Sequence, residues 1–89
     1  MNDTRRKELA EIRSRIELAL GELSNAKDEL EGVINAEHEA FDNMPESLQQ
    51  ADRGQTMEEG INTLEDASST LDDLISSIED ILGQIDEVV

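Results

Sequence analysis

The sequence predicts an all-α protein: an antiparallel two-helix hairpin of coiled-coil type, completed to a bundle by self-association. Three observations carry that expectation. Apolar residues recur at three- and four-residue intervals over two long segments, the spacing of helices packed along a seam. Between them runs DNMPESLQQADRG, residues 42–54, which holds the only proline and breaks the pattern. Charged residues make up 34% and aromatic residues 1% of the chain, a composition that reads as disorder unless the apolar period is regular, as it is here. At 89 residues the chain is one domain, 1–89.

The first helix is expected at about 4–41. With Leu9 at heptad position a, the a and d positions are Leu9, Ile12, Ile16, Ala19, Leu23, Ala26, Leu30, Val33, Glu37 and Ala40, all but one apolar. Leu20, Ile34 and Phe41 at position e widen the stripe. Asp3 or Thr4 can cap the start by accepting a bond from a free backbone N–H. The turn, with a short helix inside it, is expected at 42–55. Pro45 has no N–H to lose in a first helical turn, so a short helix from Pro45 to Gln50 is expected. Gly54 is expected to stop or bend the chain, because glycine tolerates positive φ. Thr56 and Glu59 have the spacing of a capping box that opens the second helix, expected at about 56–88.

In the second helix, position a holds Met57, Leu64, Leu71, Ile78 and Ile85, position d holds Gly60, Ala67, Leu74, Ile81 and Val88, and position e holds Ile61, Ser68, Ile75, Leu82 and Val89. A sustained seven-residue repeat implies a left-handed supercoil. The short connection makes the two helices antiparallel.

Charge is distributed unevenly. The chain carries 23 acids and 7 bases, a net charge of −16, and Arg53 is the only base after Lys27. Each position-a residue of the second helix is followed by two acids: Glu58 and Glu59, Glu65 and Asp66, Asp72 and Asp73, Glu79 and Asp80, Asp86 and Glu87. Positions b and c lie outside an a/d/e seam. The ten carboxylates are therefore expected to form one solvent-facing ridge, each step about 10 Å along the axis, and are the candidate partner-binding residues. Such a surface repels nucleic acid and attracts basic partners. Arg5, Arg6 and Lys7 are expected to lie beside Asp86 and Glu87 of the antiparallel neighbour, each set offsetting the other's unfavourable helix dipole.

Several chemistries are absent from the sequence. With no cysteine there is no disulfide framework or thiolate metal site. His38 is the only histidine, and asparagine at position 35 spoils a Glu-x-x-His pair. No calcium loop, P-loop or G-x-G-x-x-G is present. No catalytic residue, metal ligand or cofactor is expected. The basic residues Arg5, Arg6, Lys7, Arg13 and Arg15 come without aromatics for base stacking, so direct nucleic-acid binding is not expected. No apolar run approaches a membrane span, and the basic start is not followed by the apolar core of a secretory signal, so a cytoplasmic location is expected.

A hairpin of this size has a thin core and no covalent brace. Leu18 at position c, beside Leu20, and Ile75, Leu82 and Val89 in the apolar C-terminal half are surplus apolar surface. They are expected to mediate a homodimer in which four helices form a bundle. A partner's helix in the same groove is the alternative.

The stretch AFDNMPESLQQADRGQTMEEGINTLEDA, residues 40–67, resembles a group of short, acidic, helical proteins of phage and prophage. They share an aromatic-Asp-Asn-x-Pro-Glu-x-Leu-Gln turn, matched here by Phe41, Asp42, Asn43, Pro45, Glu46, Leu48 and Gln49, with Arg53 and Gly54 following. The resemblance implies an all-helical protein of a mobile element and no activity. It also makes Glu46, Gln49, Gln50 and Arg53 candidates for recognition at the turn. The expected function is that of a non-enzymatic interaction protein that sequesters a basic, nucleic-acid-handling host protein, as an anti-defence protein or DNA mimic would. A small scaffold or chaperone-like protein acting through self-association is the alternative.

Overall fold

The computed structural model describes all of residues 1–89. It is a helical hairpin: α1 (Asp3–Asp42), a single-turn α2 (Glu46–Gln49) and α3 (Asp52–Val88). The two long helices pack antiparallel into a rod of 68 × 15 × 14 Å. Its radius of gyration is 20.0 Å, against about 12 Å for a compact chain of this length.

The helix ends differ from the expectation in instructive ways. Asn2, not Asp3 or Thr4, caps α1, its side chain accepting from the Arg5 backbone N–H at 2.9 Å. Asn43 closes α1, donating its N–H to the Glu39 carbonyl. Pro45 stands at the N-cap of α2, where its missing N–H costs nothing. α3 starts at Asp52, so Thr56 and Glu59 are internal helical residues and make no capping box; Ala51 holds the N-cap with no side-chain bond. Gly54 lies buried inside α3 and has no positive φ. It is required for close approach instead: the Leu48 and Gln49 carbonyl oxygens occupy the space a Cβ would need. α2 can fold down onto α3 only because position 54 has no side chain.

The seam follows positions a and e rather than a and d. On α3 the buried residues are Gly54, Ile61, Ser68, Ile75 and Leu82, all at e, with Met57, Leu64, Leu71, Ile78 and Ile85 half-buried beside them at a. On α1 the inward set is Leu9, Arg13, Ile16, Leu20, Leu23, Lys27, Leu30, Ile34 and Phe41, again a and e, with Ile34 the most buried of them. Two effects select this register. It turns Leu20, Phe41 and Ile61 inward where the d register would bury Ala19, Ala40 and Gly60, and burial is worth roughly 25 cal/mol per Å² of apolar surface. It also sets the e cations of α1 against the b acids of α3. The core is thin, and no side chain is less than 2% exposed.

The d positions of both helices are left outside the seam. Ile12, Val33, Leu74, Ile81 and Val88 are 43–54% exposed. Ala19, Ala26, Ala40, Gly60 and Ala67 complete the two stripes and are exposed as well. Because the helices are antiparallel and both use a and e, the two d stripes lie on one broad face of the hairpin and the b positions on the opposite face. No helix is long and apolar enough to cross a membrane.

Candidate functional site

The b positions of α3 line the face opposite the d stripes, and there they meet cations of α1. Arg13 donates from Nε to Asp86 Oδ1 and from Nη2 to Asp86 Oδ2, the latter at 3.0 Å, a two-pronged pair with the planar geometry guanidinium favours. Its Nη1 also donates to Glu17 at 2.8 Å. The hydrogen bond to Asp86 leads in raising the Arg13 pKa, and the same bond holds the Asp86 carboxyl below its usual range. One heptad pair along, Lys27 contacts Glu31 at 2.7 Å and Asp72 at 3.6 Å, and its pKa is raised, chiefly by Glu31. Further along, His38 Nε2 pairs with Glu65. These contacts fix the register: 13 lies opposite 86, and 27 opposite 72. The stems of Arg13 and Lys27 lie along the seam with their charges at its edge.

The ten expected ridge residues are all exposed, but they are not equivalent. Asp72 and Asp86 belong to the ion pairs just described, and Glu65 to the contact with His38. Glu58, Glu59, Asp66, Asp73, Glu79, Asp80 and Glu87 make no ion pair within the chain. The position-c members, Glu59, Asp66, Asp73, Asp80 and Glu87, point away from the seam at steps of about 10 Å along the helix. Between them and the d stripe lies the g flank of α3. Its Thr63, Thr70 and Ser77 hydroxyls donate to the carbonyls of Glu59, Asp66 and Asp73 at 2.9–3.1 Å. That flank carries no charge.

The N-terminal bases do not meet the acids expected of them. Residue 13 already faces residue 86, so Arg5, Arg6 and Lys7 lie past the end of α3, on about two overhanging turns of α1. Arg6 pairs there only with Asp3, at 3.7 Å. Arg13, which the charge pattern placed in a general basic patch, is the residue that offsets the α3 C-terminus.

The turn residues divide between structure and surface. Gln49 is half-buried, and its amide donates to the carbonyls of Phe41 at 2.9 Å and Met44 at 3.1 Å, so it ties the turn to the end of α1 and is not free for recognition. Gln50 reaches Glu46 at 3.5 Å. Arg53 is exposed without an acidic partner and rims a hollow lined by Ala40, Met44, Leu48 and Met57.

Among the expected self-association residues, Ile75 (8% exposed) and Leu82 (7%) are part of the hairpin's own core, and Leu20 is half-buried in the same seam. They face α1 because e is the inward position. Val89 is 49% exposed at the end of the rod, and Leu18 stands alone on the back of α1 at 76%. The surplus apolar surface exists, but on the d stripes. No three acids or histidines converge as a metal-ligand set. What the arrangement offers chemically is fixed negative charge on one side of a rigid rod and an apolar face on another. Comparison with protein-family models, with characterised proteins and with solved structures yields no match.

Proposed function

We propose that the protein acts without catalysis, as an acidic interaction protein that sequesters a basic, nucleic-acid-handling protein, in the manner of an anti-defence protein or DNA mimic carried by a mobile element. The observation that supports this reading is the row of seven unpaired carboxylates along α3, held on one continuous helix and left free by the pairs beneath them. Their density is lower than that of duplex DNA, which carries one charge per roughly 1.7 Å of axis. The row suits a partner with spaced lysines and arginines rather than one that reads a phosphate backbone base by base.

The test neutralises the outward row alone, by Glu59→Gln, Asp66→Asn, Asp73→Asn, Asp80→Asn and Glu87→Gln together. None of these side chains touches the seam, so helicity should be kept. The wild-type chain should capture a basic protein from lysate and release it at high salt, since exposed charge pairs are screened over about 8 Å at physiological ionic strength. The neutralised chain should fail to capture it. Equal capture by both chains, or capture indifferent to salt, would refute the reading.

A further inference from the structure

We infer that the exposed d face is the seat of a second copy of this chain, laid antiparallel about a two-fold axis at Ala26 and Leu74. This stands apart from the carboxylate reading, because the acids of that reading lie on other faces of the rod.

The first argument is size. The chain exposes 6538 Å², where a compact monomer of 9.9 kDa would expose about 5,200 Å². The excess is comparable with the roughly 800 Å² that each partner buries in a stable interface. Five of the large exposed apolar side chains sit on this one face.

The second argument is the order of residues along the face. The register set by Arg13–Asp86 and Lys27–Asp72 places Ile12 beside Val88 at the open end, Ala26 beside Leu74 in the middle, and Ala40 beside Gly60 at the turn. The layers between hold one small and one branched residue each, Ala19 with Ile81 and Val33 with Ala67. Turned end for end, a second copy brings its Ala40 and Gly60 over Ile12 and Val88. Every layer of the resulting four-helix bundle then contains two branched and two small residues, the alternation that close packing needs. Ile12 of the second copy enters the hollow between Ala40, Met44, Leu48 and Met57. Side-by-side copies pointing the same way would stack four branched residues at one end and four small ones at the other.

The third argument is charge. In the antiparallel arrangement α3 lies against α3 of the second copy along the g flank. The facing pairs are Thr63 with Gln84 and Thr70 with Ser77, all neutral, while the b and c acids point outward. On α1 the facing flank residues are Arg15 with Ala36 and Glu22 with Glu29, a like-charged pair that opposes the association and is screened by salt. The overhanging Arg5, Arg6 and Lys7 come to lie across the turn of the second copy, where Asp42, Glu46 and Asp52 stand against the single Arg53. The unpartnered end of α1 is thereby accounted for.

Sedimentation equilibrium at increasing concentration should give twice the 9.9 kDa chain mass. Added salt should strengthen the association, since it screens two bodies of charge −16, whereas it would release a basic partner. The chain has no cysteine, so single cysteines report proximity cleanly. Leu74→Cys should cross-link to itself at least about tenfold faster than Leu18→Cys on the outer edge of α1, as expected of a residue on the two-fold. Val88→Cys should not, because the two copies of residue 88 lie about 40 Å apart end for end. Leu74→Glu should remain helical and sediment as a monomer. A chain that stays monomeric at high concentration and high salt, Leu74→Cys no faster than Leu18→Cys, or Val88→Cys as fast as Leu74→Cys would each overturn the inference.

Discussion

Replacing Leu82 by alanine should destabilise the hairpin by about 2.5 kcal/mol, and replacing its neighbour Ile81 should cost about 0.5 kcal/mol. The two residues are adjacent, both large and both in an apolar C-terminal segment, so only their facing separates them. Leu82 is 7% exposed in the seam and Ile81 is 43% exposed on the d face. Truncating a buried leucine to alanine removes transfer energy and leaves a cavity, costing about 2–5 kcal/mol. The lower part of that range applies because the core is one layer thick and can collapse or admit water. For Ile81 about half the side chain is in contact, worth roughly 1 kcal/mol of the 1.5–3 for full burial. Alanine's better helix propensity returns a few tenths. The assay is urea unfolding followed by helical circular dichroism at a concentration low enough to keep the chain monomeric. In thermal melts the difference of about 2 kcal/mol corresponds to roughly 8–16 °C. Equal losses, or a larger loss for Ile81, would show that the seam runs along d and would refute the register derived from burial and the two ion pairs. The cost of the Ile81 change should grow with protein concentration if the d face is covered by a second copy.

Gly54→Ala should destabilise by about 1–3 kcal/mol, because its Cβ meets the backbone of α2 rather than a yielding side chain; Gly21→Ala, with open space around it, should stabilise by about 0.5–1 kcal/mol, and thermal melts of both report the signs. Asp86→Asn tests the pairing at the open end. The Asp86 pKa is lowered from 3.8 in the fold, so its contribution is present above that value and is lost as pH falls through the folded value. Asp86→Asn should therefore melt below the wild type at neutral pH, with the gap closing below about pH 4; a gap independent of pH would mean that Asp86 acts by something other than its charge. Lys27 has the opposite sign: its pKa is raised above 10.5, so its contribution is full below that pH and fades as alkali takes the pH through the folded value, which melts of wild type and Lys27→Met above pH 10 will follow.

The hairpin was legible because the seven-residue period runs through both helices, with Glu37 its one polar a or d position, and one proline interrupts it between them. The choice between d and e was not legible from hydropathy, since both positions of α3 are apolar. It becomes visible only when Arg13 and Lys27, the polar members of the e row on α1, are set against acids two heptads apart on α3. Arg13 and Lys27 do not read as core-edge residues, because a charged side chain in a seam looks like an interruption, whereas here its stem packs and its head pairs across. Gly54 misled in a similar way. A glycine after a proline-containing turn suggests positive φ, but the same residue serves wherever two backbones must touch, and only the placement of α2 tells the two apart. The division of the acids into Glu65, Asp72 and Asp86, which pair across the seam from position b, and the seven that stay free needed the facing of α3 as well, which the repeat alone does not give.

The rod shape has a hydrodynamic consequence. A radius of gyration of 20.0 Å is that of a globular chain of roughly 330 residues, nearly four times as long as this one. On a gel-filtration column calibrated with globular standards, the monomer should emerge where a tetramer is expected, and an end-for-end dimer of similar length should emerge only slightly earlier. Elution volume is therefore nearly blind to assembly in this protein, and translational diffusion combined with mass is what separates one rod from two.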